Sequence, residues 1–107
     1  MLDPQNSFAW NNKAWTLAHI NENEEALHTV EKSLEIDPSY ANALDTKALL
    51  YNLGRYQEAI NYYDKAIEIY PDNADFLKRK GLALQKLGRE EDVNLRFRMP
   101  TDSITKN

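Results

Sequence analysis

One stretch of this chain decides its fold: GRYQEAINYYDKAIEIYPDN, at residues 54–73. Small and large apolar residues recur in it at helical spacing, as Ala59 and Tyr63 do one helical turn apart. Gly54 precedes them and favours a turn, whereas Pro71 follows them and stops a helix because proline cannot continue the hydrogen-bond ladder. The stretch is therefore predicted to form a turn followed by one amphipathic helix.

The same pattern recurs along the chain. Asp37-Pro38 follows Asp3-Pro4 by 34 residues, and Pro71 follows Pro38 by 33. Three apolar stripes have the helical spacing i, i+4, i+7: Trp10, Ala14 and Leu17; Leu44, Ala48 and Tyr51; Leu77, Gly81 and Leu84. A turn containing Asn or Gly follows each stripe, and second-helix stripes follow the first two turns: Ala26, Val30, Ser33 and Leu34; Ala59, Tyr63, Ala66 and Ile67. A fixed period of this length predicts stacked helix-turn-helix units.

This pattern resembles the tetratricopeptide repeat family. The second copy carries the matching residues most fully: Leu44, Lys47, Ala48, Tyr51, Gly54, Tyr56, Ala59, Tyr63, Ala66 and Pro71. The resemblance implies an all-α fold, an α-α superhelix (solenoid) of three antiparallel helix-turn-helix repeats. We expect the repeat array at residues 1–99, with repeats at 7–40, 41–73 and 74–99, and a disordered polar tail at 100–107. The expected helices are 7–20, 24–36, 40–52, 56–69, 74–87 and 90–98.

The three copies differ in two informative ways. One residue is missing between Tyr51 and Gly54, and we expect it to tighten the turn at residues 52–55, because a deletion inside the helix would rotate the later stripe by about 100°. The third copy is more polar, and Pro100 is expected to stop its second helix. The chain starts in the phase of a preceding repeat, which predicts an array extending upstream.

Composition excludes several classes of function. The 107 residues include 13 Lys plus Arg, 17 Asp plus Glu and no cysteine, for a net charge of −4. An acidic chain is a poor ligand for nucleic acid or an anionic membrane surface, and the lack of cysteine excludes disulfides and thiolate zinc sites. Neither His19 nor His28 has a second histidine at metal-binding spacing. With no signal peptide or catalytic motif visible, we expect a soluble cytoplasmic protein that is not an enzyme and has no cofactor or metal.

The resemblance implies a non-catalytic protein–protein interaction scaffold. In this family the first helices of successive repeats line a concave groove that holds a partner peptide or helix. The matching positions here are Phe8, Asn11, Trp15, His19, Asn42, Asp45, Leu49, Asn52, Asp75, Lys78, Leu82 and Gln85. Trp15 lies off the Trp10/Ala14 stripe, and tryptophan is frequent among binding hot spots. Trp15 either contacts a partner or covers the edge of the first repeat.

One specialised form of the family grips the C-terminal carboxylate of chaperones with Lys, Asn and Arg. The matching positions hold Asn11, Trp15, Thr46, Asp75 and Arg79, of which only Arg79 fits. Asp75 would repel a carboxylate. This type of partner is therefore disfavoured, and the partner's identity stays open.

Two further hypotheses follow from the repeat pattern. The uncapped ends of a short array could associate, as a homodimer or an end-to-end stack, or the chain could be an accessory domain of a larger complex. A lysine recurs at the same place in each copy, at Lys13, Lys47 and Lys80. It could form a basic ladder, but we favour a structural role in which the aliphatic stem covers the helix pair.

Overall fold

The computed structural model of the chain describes residues 5–98, with side chains as far as residue 91. The described part consists of five helices and no strand: α1 (Ser7–His19), α2 (Asn23–Ile36), α3 (Ala41–Tyr51), α4 (Tyr56–Ile69) and α5 (Ala74–Arg98). The all-α repeat fold is thus confirmed, and the first four helices agree with the expected ones to within one residue at each end. The tail predicted at residues 100–107 and the stop at Pro100 lie outside the described residues.

Local side-chain chemistry explains where these helices begin. The Asn6 side chain accepts a hydrogen bond from the Ala9 amide at 3.0 Å, and the Asn73 side chain accepts one from the Phe76 amide at 3.0 Å. Both satisfy amides that the first turn of a helix leaves without an intrahelical partner. At the other end of α1, Asn21 has φ 64°, the left-handed conformation that asparagine tolerates in turns.

The first two repeats pack as the sequence predicts. Helices α1 and α2 form one antiparallel pair, α3 and α4 form the next, and α2 packs on α3 between them. The small residues Ala14, Ala26, Ala48 and Ala59 are fully buried and allow the helices to approach closely. Val30 and Tyr63 are also fully buried and fill the space beside them. Each pair therefore contributes one section of a continuous core.

Polar contacts connect successive repeats. Lys47 binds Glu31 on α2, and Lys80 lies 2.6 Å from Asp64 on α4. Lys47 and Lys80 thus each reach a carboxylate on the second helix of the preceding repeat, whereas Lys13 lies 5.8 Å from the centre of a Trp10 ring on its own helix. The contacts of Lys47 and Lys80 agree with a structural role for these two lysines.

The missing residue in the second copy does not tighten the turn, so that prediction was wrong. Residues 20–22 connect α1 to α2, whereas the connection between α3 and α4 is one residue longer, at 52–55. The deletion instead shortens the helix, because α3 has 11 residues and α1 has 13. Gly54 adopts φ 150° in this turn, a conformation that side chains other than glycine rarely adopt. Helix α3 therefore ends about half a helical turn earlier than α1 does.

The predicted turn after Gly88 and the separate helix at 90–98 are not observed. Helix α5 continues through this region for 25 residues, from Ala74 to Arg98. A glycine inside a helix is disfavoured by only about 1 kcal/mol, and the surrounding leucine, lysine, arginine and glutamate residues are strong helix formers. The third repeat therefore has a first helix without an antiparallel partner, and the molecule extends to 63 × 30 × 19 Å.

The buried face of α5 also differs from the expected one. Leu77 and Leu84 are 47% and 48% exposed, whereas Phe76 and Ala83 are buried. The sequence pattern predicts that α5 buries the face that would meet a second helix of the same repeat, and residues 5–98 contain no such helix. Helix α5 instead buries the face that packs on α4, where Phe76 joins Ala66 and Ala83 joins Tyr63.

Candidate functional site

One side chain from each first helix meets its neighbours on the face shared by α1, α3 and α5, which we call the first-helix face. Arg79 of α5 donates two hydrogen bonds to Asp45 of α3, from Nε to Oδ1 at 2.8 Å and from Nη2 to Oδ2 at 2.6 Å. The guanidinium carbon of Arg79 also lies 5.8 Å from the centre of a Trp15 ring on α1. We call Trp15, Asp45 and Arg79 the three-helix cluster.

The charges of this cluster are largely internal. The Asp45 side chain is 6% exposed, and burial raises the pKa of its carboxyl group, although the hydrogen bonds and charge of Arg79 act in the opposite direction. Asp75 raises this pKa further by repulsion. Arg79 keeps its charge at any ordinary pH and donates to Asp45 from both Nε and Nη2. The pair therefore presents little net charge to the surface.

A second polar contact, made by the residue next to Asp45, joins α1 to α3. The Thr46 hydroxyl donates to Asn11 Oδ1 at 2.7 Å, and both residues are buried. Thr46 Oγ1 also lies 3.0 Å from the Asn42 carbonyl one turn earlier on its own helix. Because buried polar groups need partners, this contact fixes the relative position of the two helices.

Trp15 is the large apolar side chain that the cluster leaves accessible. It is 36% exposed, and its ring centre lies 4.4 Å from that of His19, whose Nδ1 is 2.8 Å from the Trp15 carbonyl oxygen. A pocket of about 230 Å³ lies beside it; the lining residues are Phe8, Asn11, Asn12, Trp15, Tyr40, Asn42, Asp45 and Thr46. A second pocket of about 210 Å³ includes His19 and Leu49 in its lining. The first-helix face therefore has concave, partly apolar sites around Trp15.

Two parts of the chain match known family models. Residues 2–28 match a model described as "Tetratricopeptide repeat", and residues 48–88 match one described as "TPR repeat". The chain belongs to the tetratricopeptide repeat family. A comparison with curated proteins found no match to this chain. Tetratricopeptide repeats are generally protein-interaction modules, and the family is typically non-catalytic.

The structure places most of the predicted groove residues of this tetratricopeptide repeat chain at the surface. Exposed are Phe8, Trp15, His19, Asn42, Asp75, Lys78, Leu82 and Gln85, and Leu49 is half-buried. Three others are buried: Asn11, Asp45 and Asn52. The first two of these three make hydrogen bonds between helices: Asn11 with Thr46, and Asp45 with Arg79.

The predicted groove residues do not include Arg79, although Arg79 makes the closest contact between α3 and α5 on this face. The prediction places Lys78 at the position equivalent to Asp45, because the first-helix stripes of the second and third repeats are 33 residues apart. The observed pair spans 34 residues, from Asp45 to Arg79. Opposite charges separated by one repeat length on successive first helices are the sequence signal that identifies such a pair.

The described residues contain neither a membrane-spanning candidate nor a metal-ligand cluster. None of the helices there has the length and apolar character needed to cross a bilayer. In the same part of the chain, no group of three or more His, Asp or Glu side chains is placed to hold a metal ion.

The buried hydroxyl of Tyr63 is expected to make folding sensitive to alkaline pH. Burial raises the pKa of Tyr63 to about 12, with Asp45 adding repulsion and Arg79 opposing it. An unfolded tyrosine loses its proton near pH 10, so the free energy of unfolding should fall by about 2–3 kcal/mol as pH rises from 10 to 12. Urea unfolding across this range, followed by circular dichroism, measures the effect.

The matched variants for this experiment are Tyr63→Phe and Tyr70→Phe. Tyr63→Phe should remove the alkaline fall and change stability little at pH 7, because the Tyr63 hydroxyl has no hydrogen-bond partner among the described residues. Tyr70 is 59% exposed, so Tyr70→Phe should keep the fall. An identical alkaline profile in wild type and Tyr63→Phe would contradict the expectation.

Proposed function

We propose that the first-helix face binds a partner peptide or helix, with Trp15 as the principal contact. The proposal rests on an exposed tryptophan that contacts one neighbour on its own helix and one on α5. Trp15 rests against His19 of the same helix and against Arg79 of α5, and it borders the pocket that includes Phe8. A rigid, partly exposed aromatic ring beside a concave site is typical of a binding hot spot.

The electrostatics of the face favour a partner that is not strongly acidic. Arg79 is a cation on this face, but its Nε and Nη2 already donate to the Asp45 carboxylate, whose charge opposes its own. Asp75 adds negative charge nearby. We infer a partner with an apolar or aromatic anchor and mixed polar flanks, and not the free carboxylate of a chaperone C-terminus.

The packing of the scaffold supports the same role. Buried hydrogen bonds and ion pairs link α1 to α3 and α3 to α5, so the face exists before a partner arrives. A preformed site loses little conformational entropy on binding, and the partner carries most of that loss. The proposed role is therefore a non-catalytic scaffold that needs no cofactor.

A tryptophan substitution is the test of this proposal. Peptides selected from a random display library with the wild-type chain as bait should bind Trp15→Ala about 30-fold more weakly, the loss expected of a hot spot worth ~2 kcal/mol. Fluorescence titration of the Trp10→Phe variant isolates the Trp15 signal, because the chain has two tryptophans. Binding should shift that emission.

The matched control is Tyr70→Ala, which removes an exposed aromatic ring that lies between α4 and α5. It should bind the same peptides with wild-type affinity. Circular dichroism of both variants should show unchanged helicity. If Trp15→Ala keeps its fold and binds as tightly as wild type, Trp15 is not the contact residue and the proposal fails.

A further inference from the structure

Helix α1 has one side that is open to solvent. An open groove of about 650 Å³ runs along it, with Ala9, Asn12, Lys13 and Thr16 among the lining residues. Lys13 and Thr16 are exposed, and Ala9 is half-buried. These three residues follow one another at helical spacing, so they share one side of the helix. We call Ala9, Lys13 and Thr16 the outer side of α1.

The same side of each later first helix is buried against the preceding repeat. The equivalent residues, one and two repeats later, are Ala43, Lys47 and Leu50 on α3 and Phe76, Lys80 and Ala83 on α5. The apolar members of both sets are buried. On α3 they share a core cluster with residues of α2, and on α5 they share core clusters with residues of α4. The outer side of α1 therefore has the position of a surface that receives a helix.

The lysine on this side indicates the charge of the helix that it would receive. Lys47 binds Glu31 of α2, and Lys80 lies 2.6 Å from Asp64 of α4. Lys13 makes no ion pair among the described residues, and its ammonium group lies 5.8 Å from the centre of a ring of its own helix. A helix with Asp or Glu opposite Lys13 would repeat the ion pair that the two later lysines make.

Helices α2 and α4 show which side chains such a helix presents. On each, a carboxylate lies between two aliphatic residues at the spacing i, i+4, i+7: Leu27, Glu31 and Leu34 on α2, and Ile60, Asp64 and Ile67 on α4. The aliphatic residues pack on core clusters that include Leu50 of α3 and Ala83 of α5. The matching ligand is an amphipathic helix with this aliphatic–acidic–aliphatic pattern.

We propose that the outer side of α1 binds an amphipathic helix of a separate protein, with a carboxylate of that helix paired to Lys13. The docked helix lies against α1 as α2 lies against α3, with its two aliphatic residues beside Ala9 and Thr16. These three residues are not among those expected in the peptide groove. The proposal is therefore independent of the role proposed for Trp15.

A second copy of this chain is a poor occupant of this surface. In such a copy, the matching sides of α2 and α4 already pack on α3 and α5. The positions 34 residues after the α4 pattern hold Asn94, Arg98 and Thr101. None of these residues is aliphatic, and Arg98 would place a positive charge opposite Lys13. Charge complementarity therefore favours a partner of different sequence.

A helical peptide copied from α2 tests the proposal, because it carries the required pattern. The probe is a fluorescein-labelled peptide of residues 22–37, held helical by a lactam bridge between Glu24 and the lysine of a His28→Lys change, both on the exposed side of α2. Fluorescence anisotropy with the full chain should show binding. Lys13→Glu should weaken that binding about tenfold, because it removes an ion pair and adds a like charge.

The matched control is Lys65→Glu, which reverses another exposed lysine. Lys65 lies 5.1 Å from the centre of the Tyr62 ring on its own helix, much as Lys13 does beside Trp10. Lys65→Glu should bind the peptide with wild-type affinity. A peptide with Glu31→Lys should in turn bind Lys13→Glu more tightly than it binds the wild-type chain. Circular dichroism should give the same helicity for both variants and the wild type.

Two further measurements locate the site and identify the occupant. Amide shifts in an NMR titration with the peptide should be largest around Lys13, and light scattering of the chain alone should give 12.4 kDa at every concentration. No binding by the helical peptide, or equal affinities for Lys13→Glu and Lys65→Glu, would overturn the proposal. Self-association that Lys13→Glu abolishes would also overturn it, because a second copy would then be the occupant.

Discussion

Replacing Arg79 with methionine is expected to lower the free energy of unfolding by about 3–5 kcal/mol at pH 7. The substitution leaves the Asp45 carboxylate, 6% exposed, without the two hydrogen bonds and the positive charge that now compensate its burial. Burial already raises the pKa of Asp45 with Arg79 present, so the unpaired carboxylate should be still harder to keep ionised. Urea unfolding followed by helical circular dichroism measures the loss.

The pH dependence of Arg79→Met gives a second signature of the same cause. A carboxyl group whose pKa is higher in the folded than in the unfolded chain contributes most stability below the unfolded value and loses that contribution as pH rises. Asp45 in the variant is such a group, since burial raises its pKa. The stability difference between Arg79→Met and wild type should therefore shrink as pH falls from 7 towards 4.

Two controls separate the buried charge from a general loss of contacts. The double variant Asp45→Leu with Arg79→Met should recover most of the lost stability, because an apolar pair of similar volume leaves no buried charge. Lys80→Met removes a neighbouring cation whose ion pair with Asp64 is partly exposed, and it should change stability by less than about 1 kcal/mol. A double variant no more stable than Arg79→Met would refute this explanation.

The first four helices could be predicted from the sequence because each carries one clear apolar stripe. In α4, Ala59, Ile60, Tyr63 and Ala66 lie on one side of the helix, so one rotation of the helix buries them all. Turn residues mark the ends, as Gly54 does with its positive φ. When only one face of a helix is apolar, packing buries that face, so the sequence alone predicts which residues are in the core.

Helix α5 could not be predicted in this way because more than one of its faces is apolar. Phe76 adjoins Leu77, and Leu82, Ala83 and Leu84 are consecutive, so two stripes fit the same helix. Which of them is buried depends on whether a second helix folds back after Gly88, and a single glycine among strong helix formers does not decide that. The resemblance predicts a turn at Gly88, whereas the structure has a continuous helix.

The candidate site was predictable only in part, for a related reason. Helical spacing identifies Trp15 as lying off the core stripe, and the structure confirms that it is accessible. The Asp45–Arg79 pair depends on how the third repeat sits on the second, which is set by the packing of Phe76 against Leu44. The apolar pattern of a single helix does not predict how one repeat packs on the next, so it does not predict contacts between repeats.

Alanine substitutions at two adjacent positions are expected to distinguish the faces of α5. Phe76→Ala should lower the free energy of unfolding by about 3–5 kcal/mol, because Phe76 is 2% exposed and its loss leaves a cavity beside Leu44 and Ala66. Leu77→Ala should lower it by less than about 1 kcal/mol, because Leu77 is 47% exposed and alanine is a strong helix former. Urea unfolding of both variants at a concentration where the chain is monomeric gives the comparison.

The size of the Leu77→Ala effect distinguishes a continuous α5 from a helix that ends at Gly88. If α5 ended at Gly88 and a second helix folded back within the monomer, Leu77 would lie between two helices and its truncation would remove about 2–5 kcal/mol, as in other buried sites. Phe76→Ala would be destabilising in either arrangement, because it faces α4 in both. A small effect at Leu77 beside a large one at Phe76 is therefore expected only if α5 is unpaired on that side, and two large effects would contradict the continuous helix.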